Sequence, residues 1–348
     1  MKNYLLLILI PLLLISCKEV DKQEGGIVEK KQKQDMTFAI VLHGGAGSIK
    51  KAYFTPEQEK AYTDKLSEAL DAGYLVLQNN GSALDAVQQT INVMENSPLF
   101  NAGKGAVLNS LGKVEMDASI MDGKTLNCGA VAGVAHIKNP IIAARLVMDS
   151  TRHVFLYGEG AEIFAKEKGI QLMDVQYFIT SKRQAQLKRL QAKEAGKKIA
   201  YKTPIDKMND HKYGTVGCVA LDKNGNIAAG TSTGGMMNKK YGRIGDSPIV
   251  GAGTYANNQT CGISCTGTGE YFIRTLASHT VSDLMQYKNN NLLDAMKIAM
   301  DKIQDLGGDG GMIGLDTKAN IAWYFNTDGM FRAYKKSNGE KKIKLFKN

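Results

Sequence analysis

The chain has 348 residues, 43% of them apolar, and a formal net charge of +10. That is enough apolar chain to bury a sizeable core, as one large domain or two smaller ones. Ten Lys/Arg against three acids lie between Lys182 and Lys212, which leaves the rest near neutral, so the basic character says little for a nucleic-acid groove; no aromatic-rich basic strand offers a base-stacking platform, and no nucleic-acid partner is expected.

The N-terminus, "MKNYLLLILIPLLLIS", has one early charge at Lys2 and then an apolar run broken by Pro11. It is too short to favour a permanent spanning helix and is expected to be a signal peptide over residues 1–16. It ends in "LISC", which resembles a bacterial lipobox with acylation of Cys17 after cleavage. Acyl chains there would hold the protein at a membrane of the bacterial cell envelope without crossing it. A plain secretory signal followed by a chance cysteine is the simpler alternative. Residues 17–35 are polar and charged and are expected to form a tether.

"MTFAIVLHGGAG" (36–47) predicts a buried strand running into a glycine loop. Helical spacing follows from Pro56 to about Asn79. "SALDAVQQTINVMENSP" predicts a second helix, capped by Ser82 and ended before Pro98. Turn signals at Gly103, Gly105 and Gly112 separate strand-like pieces, and "LNCGAVAGVAHI" predicts a strand of small residues. "NPIIAARLVMDS" and "GEGAEIFAKEKG" predict helices. The lysine-rich segment at about 180–213 has few large apolar residues and is expected to be a mobile linker. Strands are predicted at 215–222 and 226–233, then a strand at about 260–266 leading into a helix that runs through Gln286. A further helix at "NLLDAMKIAMDKI" and two closing strands, "GGMIGLD" and "NIAWYFN", complete the order. Strand runs alternating with helix pairs predict sheets covered by helices.

Cys128, Cys218, Cys261 and Cys265 lack metal-like spacing and are expected to be small buried hydrophobes. There is no Walker loop, no complete dinucleotide fingerprint and no G-x-S-x-G elbow. His43 could serve as a base, but a histidine packed beside a tight loop is the simpler reading.

Gly214 precedes a strand that starts on Thr215, with Thr231 and Thr233 close behind. Threonine is a weak nucleophile unless a base sits beside it, and the α-amine of an N-terminal threonine is one such base. Its pKa is roughly 8, low enough to accept a proton near neutral pH. Cleavage between Gly214 and Thr215 would create that amine. A surface loop ending in an ordinary strand explains the same residues, and the stretch alone leaves both open.

The ordered blocks "HGGAG" (43–47), "SPLFNAGKGAV" (97–107), "MDASIMDG" (116–123), "VAGVAHIKNPIIAARLVM" (131–148), "GTVGCVALD" (214–222), "TSTGG" (231–235), "GRIGDSP" (242–248), "TGTGE" (266–270) and "FNTDGMFRAY" (325–334) span nearly all of 36–348. Together they resemble the plant-type asparaginase/isoaspartyl peptidase family of N-terminal-nucleophile hydrolases. That resemblance implies an α+β fold, a four-layer αββα sandwich. It implies a precursor that cuts itself at Gly214–Thr215 into an α chain (36–214) and a β chain (215–348), assembled as (αβ)₂.

It also implies roles. Thr215 resembles the nucleophile, its freed amine the base, and Thr233 the threonine that orients the hydroxyl. Arg243 resembles the clamp on the substrate α-carboxylate, a planar fork suited to two oxygens. Asp246 resembles the partner of the α-ammonium. Thr266 and Gly267 resemble the oxyanion pair, Gly269 a backbone contact to substrate, and Asn101 a residue lining the site. No cofactor is implied for catalysis. The backbone carbonyls of Met94, Glu95, Ser97, Phe100, Ala102 and Lys104 match a sodium-binding loop, although Asn96 and Lys104 depart from the usual side chains.

The implied reaction is hydrolysis of β-aspartyl dipeptides and L-asparagine to L-aspartate through an acyl-enzyme. Glycosylasparaginase is the same-fold alternative, but it usually carries "TSTNG" where this chain has "TSTGG". A non-catalytic ligand-binding lipoprotein is the alternative of another class, and the intact set of Thr215, Thr233, Arg243 and Asp246 argues against it.

Overall fold

The computed structural model describes residues 37–197 and 214–347. Backbone contacts divide the chain after Asp35. The expected signal segment, Cys17 and the tether belong to the first unit and lie outside the described residues. Among the described residues no helix is long and apolar enough to cross a membrane.

The second unit is built on strand β1 (Ala39–Gly47), whose nine residues are all buried. Its side chains alternate between two cores, as a strand covered on both faces requires. Ile40 and Leu42 face helices, packing among Leu66, Leu70, Val87 and Ile91. Ala39 and Val41 face a second sheet, with Val219, Leu221, Ile313 and Leu315. The helices are α1 (Pro56–Gln78), opened by a Thr55–Gln58 capping box, and α2 (Ala83–Glu95), capped by Ser82.

Strands β2 (Met116–Asp122), β3 (Cys128–Val134) and β4 (Phe155–Tyr157) join β1 in the large sheet. So do β5 (Val216–Leu221) and β6 (Ile227–Thr233). Helix α3 (Pro140–Ser150) lies with α1 and α2 on its outer face, and α4 (Gly158–Glu167) follows β4. The smaller sheet holds β7 (Thr254–Ala256), β8 (Cys261–Gly267), β9 (Gly310–Asp316) and β10 (Ile321–Phe325). Its outer face carries α6 (Gly269–Thr275), α7 (Ala277–Lys288) and α8 (Leu292–Asp305), through a core of Ile263, Cys265, Phe272, Met296 and Met312. The order helix, sheet, sheet, helix is the four-layer sandwich. Cys128, Cys218, Cys261 and Cys265 are free thiols, and the last three are buried.

Three local expectations need correction. The lysine-rich segment is not mobile along its first half: α5 (Ser181–Glu194) is capped by Thr180, whose Oγ1 accepts from Arg183 N at 3.2 Å. Lys, Arg, Gln and Ala are all good helix formers, and one face of α5 buries Arg183, Gln186 and Leu187. Charge density described only its other face. Residues 198–213 lie outside the described residues. Second, the helix expected to run through Gln286 is broken at Leu276, which takes φ 46° and ψ 51° and separates α6 from α7. Third, the chain closes with two more strands, β11 (Gly329–Lys336) and β12 (Lys341–Phe346). β11 pairs antiparallel with β1 from the other end of the sequence.

Candidate active site

β5 and β6 are antiparallel neighbours, with Val216 opposite Ser232. That register sets Thr215 beside Thr233. The Thr215 hydroxyl donates to Thr233 Oγ1 at 3.1 Å. Thr233 Oγ1 also accepts from Gly235 N at 3.0 Å and donates to the Gly214 carbonyl at 3.3 Å. Thr215 is 8% exposed. Ser232 points the other way, to Glu95 Oε1 at 2.6 Å. Burial pushes the Glu95 carboxyl up to about 7, despite the bonds from Ser232, Asn139 and Ile141.

Gly214 is held from the other side as well. Asn101 Nδ2 donates to its carbonyl at 2.6 Å and to the Gly235 carbonyl at 2.8 Å, while Asn101 Oδ1 accepts from Val107 N at 2.8 Å. A Cβ on residue 214 would lie 2.9 Å from Asn101 Cβ, so glycine is what lets this carbonyl approach the amide.

His43 Nδ1 lies 3.1 Å from the Thr215 carbonyl, and its Nε2 3.0 Å from Ser264 Oγ. Burial lowers the imidazole pKa to about 3, so the ring is neutral at physiological pH. A carbonyl can only accept, so Nδ1 carries the proton and Nε2 accepts from Ser264. The ring therefore holds the Thr215 backbone and is not placed to take the hydroxyl proton. From Ser264 a chain of buried hydroxyls continues through Thr231 (2.7 Å), Thr254 (2.6 Å) and Ser119 (2.8 Å), tying the two sheets together behind Thr215.

Arg243, Asp246 and Gly267 line the same cleft as Gly214, Thr215 and Thr233. Thr266 is buried at the end of β8, and its Oγ1 accepts from Ala46 N at 3.3 Å. Gly269 passes between the two charged residues. A Cβ there would lie 2.8 Å from Asp246 Oδ1 and 3.0 Å from Arg243 Nη2. Burial pushes Asp246 up to about 6, although its own backbone N–H and Arg243 pull the other way, and its Oδ2 has no partner among the described residues.

Two acids near this cleft were not legible in the sequence. Glu270 takes Arg243 Nε at 2.8 Å and Nη2 at 2.7 Å. Burial would lower the guanidinium pKa, but this pairing outweighs it and the pKa rises. Asp117 lies across from Thr233 in the β2–β6 ladder, fully buried, with Oδ1 accepting from Gly133 N at 2.9 Å. Burial raises its pKa as well, with Lys239 opposing. Glu270 is part of the "TGTGE" block, so its position was signalled and only its role was not. Asp117 gave no local signal beyond "MDASIMDG".

In the loop after α2, two glycines pass close to backbone oxygens. A Cβ on Gly103 would meet the Glu95 carbonyl oxygen at 2.3 Å, and one on Gly105 the Phe100 carbonyl oxygen at 2.0 Å. The carbonyls of Met94 and Ala102 also accept backbone N–H groups. Ser97 is buried here, and the Lys104 ammonium lies over the Tyr177 ring, 5.3 Å from its centroid.

A family model described as asparaginase matches residues 36–345. The chain belongs to the asparaginase family. Among its relatives, this asparaginase-family chain is 49% identical to the isoaspartyl peptidase of Salmonella typhimurium over 298 residues, 85% of this chain and 94% of the relative. It is 48% identical to the isoaspartyl peptidase of Escherichia coli, over 85% of this chain and 92% of that one. It is 43% identical to the plant-type L-asparaginase of Pyrococcus horikoshii, over 87% and 97%.

Proposed function

We propose that this asparaginase-family chain is an autoprocessing threonine amidohydrolase that releases L-aspartate from β-aspartyl dipeptides and L-asparagine. The observation that carries the reading is the Thr215 hydroxyl bonded to Thr233 at 3.1 Å in one cleft with Arg243 and Asp246. In self-cleavage the Thr215 oxygen attacks the Gly214 carbonyl carbon. The charge that develops on the Gly214 oxygen falls where Asn101 Nδ2 and the Thr233 hydroxyl already donate. The C–N bond breaks, the threonine nitrogen takes a proton, and water hydrolyses the resulting ester. The freed amine then serves as base for Thr215 in turnover.

In turnover Arg243 takes the substrate α-carboxylate and Asp246 its α-ammonium. Thr215 attacks the side-chain carbonyl, with Thr266 and Gly267 at the developing oxyanion and Gly269 against the head group. Ammonia or an amine leaves and water resolves the acyl-enzyme. In the continuous chain the cleft has a volume of only about 20 Å³, room for about one water molecule. The glycosylasparaginase alternative is disfavoured by packing at residue 234. A Cβ there would lie 2.5 Å from Asn101 Oδ1 and 2.8 Å from Val107 N, so the asparagine of "TSTNG" has no room.

A sodium ion fits the loop of carbonyls from Met94, Glu95, Ser97, Phe100, Ala102 and Lys104. The glycines that leave its oxygens uncrowded, and a Lys104 ammonium turned to Tyr177, support that fit. The ion would brace the loop carrying Asn101 and takes no part in the chemistry. Two αβ units would associate as (αβ)₂, and Cys17 would carry the lipid that holds the enzyme at the cell envelope. Labelled fatty acid entering wild type and not Cys17→Ala tests the anchor.

The central experiment is purification of the chain without residues 1–17, a gel for two fragments, and product assays on L-asparagine, β-aspartyl dipeptides and aspartylglucosamine. Two fragments with aspartate released from the first two substrates are expected. An intact single chain with full activity, or activity on aspartylglucosamine alone, overturns the reading.

A further inference from the structure

The cleft at Thr215 continues past Met236. A second cavity, of about 460 Å³, opens between α5 and residues 235–238, and Gly235 and Met236 line both. The head-group residues Arg243 and Asp246 line only the Thr215 cleft. A substrate held by its two head charges, with its side-chain carbonyl at Thr215, must direct its leaving nitrogen away from that pair. The shared wall residues lead from the nucleophile into the second cavity.

The chemistry of that cavity is mixed in a particular way. Val107, Leu190 and Met237 make it apolar, while Arg183 and Lys193 make it cationic. Arg183 is fixed in place, with Nε donating to the Gly105 carbonyl at 2.8 Å and Nη1 to Gln186 Oε1 at 3.0 Å. Burial lowers its pKa to about 10, so it stays charged near neutral pH. Glu194, an acid in the same lining, is occupied by Asn238 Nδ2 at 2.8 Å and Lys240 Nζ at 3.2 Å. Lys193 forms no ion pair with the described residues.

We infer that this cavity is the leaving-group subsite, which binds the residue on the amine side of the β-aspartyl bond through an apolar side chain and a free α-carboxylate. The inference rests on the hydrolase reading above and names its substrate class. Asparagine, which releases only ammonia, leaves the subsite unused. The size lies within the range typical of small-ligand sites. Helix α5, the basic segment that the hydrolytic chemistry did not otherwise employ, supplies the charge.

The test measures kcat/KM of the self-cleaved enzyme on β-Asp-Leu, on its C-terminal amide and on L-asparagine. In wild type the free acid should exceed the amide by about tenfold, the usual worth of a charge-assisted contact. Lys193→Gln should narrow that ratio and Lys193→Glu should invert it, each lowering β-Asp-Leu turnover relative to L-asparagine. Lys193 is exposed on the last turn of α5, so neither change threatens folding. Equal rates on acid and amide in wild type, or a wild-type ratio in Lys193→Glu, overturn the subsite while L-asparagine turnover leaves the hydrolase standing. Failure of wild type on all three substrates overturns both.

Discussion

Glu270 grips one edge of the Arg243 guanidinium, at Nε and Nη2, and leaves Nη1 outside that pairing, in a side chain that lines the cleft. A guanidinium has two edges that can each meet a carboxylate. Glu270 thus orients the fork from behind, and a substrate carboxylate can take the front. Glu270→Gln should keep self-cleavage and lower kcat/KM about tenfold, mainly through KM. Steady-state kinetics on β-Asp-Leu checks this, and an effect confined to kcat would remove the orienting role.

Arg243→Lys keeps the charge and loses the fork. It should cut kcat/KM by about two orders of magnitude and leave the two-fragment pattern on a gel intact, because Gly214 does not bond to Arg243. In wild type, α-aspartyl dipeptides should be rejected, since the bond to be cut is then part of the head group. Comparable wild-type rates on α- and β-aspartyl dipeptides would contradict head-group reading by Arg243 and Asp246.

Thr215→Ala removes the hydroxyl that serves both cleavage and turnover, so both should vanish. Thr215→Ser should retain some cleavage. N-terminal sequencing of the smaller wild-type fragment should begin TVGCV.

Asn101→Ala should slow self-cleavage by about two to three orders of magnitude, the common effect of losing one oxyanion donor. A time course of fragment appearance measures it. Cleavage at the wild-type rate would mean that the 2.6 Å contact to the Gly214 carbonyl has no catalytic weight.

Asp246 links pH to stability. Its folded pKa of about 6 lies above the ordinary 3.8, so the folded state binds the proton more tightly than the unfolded chain. Stability is therefore lost as pH rises from about 4 to about 6, by an amount on the order of 3 kcal/mol, and is flat above. Asp246→Asn should be more stable than wild type at pH 7 and lose that advantage near pH 4. It should also lose about two orders of magnitude in kcat/KM. Denaturant curves at the two pH values decide it, and a pH-independent difference would show that Asp246 does not titrate as a buried acid.

The chain sequence by itself determined most of the element order, the place of Gly214 before the strand at Thr215, and the residue types of the cleft. Those features are local: the continuous apolar run of β1, the Ser82 cap, and short ordered blocks whose spacing survives without the fold. Only the tertiary structure decided what rests on residues far apart in the chain. It turned the basic run after Thr180 into a docked helix, because burial of Arg183 and Leu187 outweighs the charge on the opposite face. It recruited β11 to β1 across nearly the whole sequence. His43 became a neutral support for Thr215, since desolvation in the space between two sheets is not written in any neighbouring residue. Glu270 met Arg243 for the same reason: a contact between residues 27 positions apart is set by how β8 and its following helix dock against the 242–248 loop, which packing of the whole sandwich fixes.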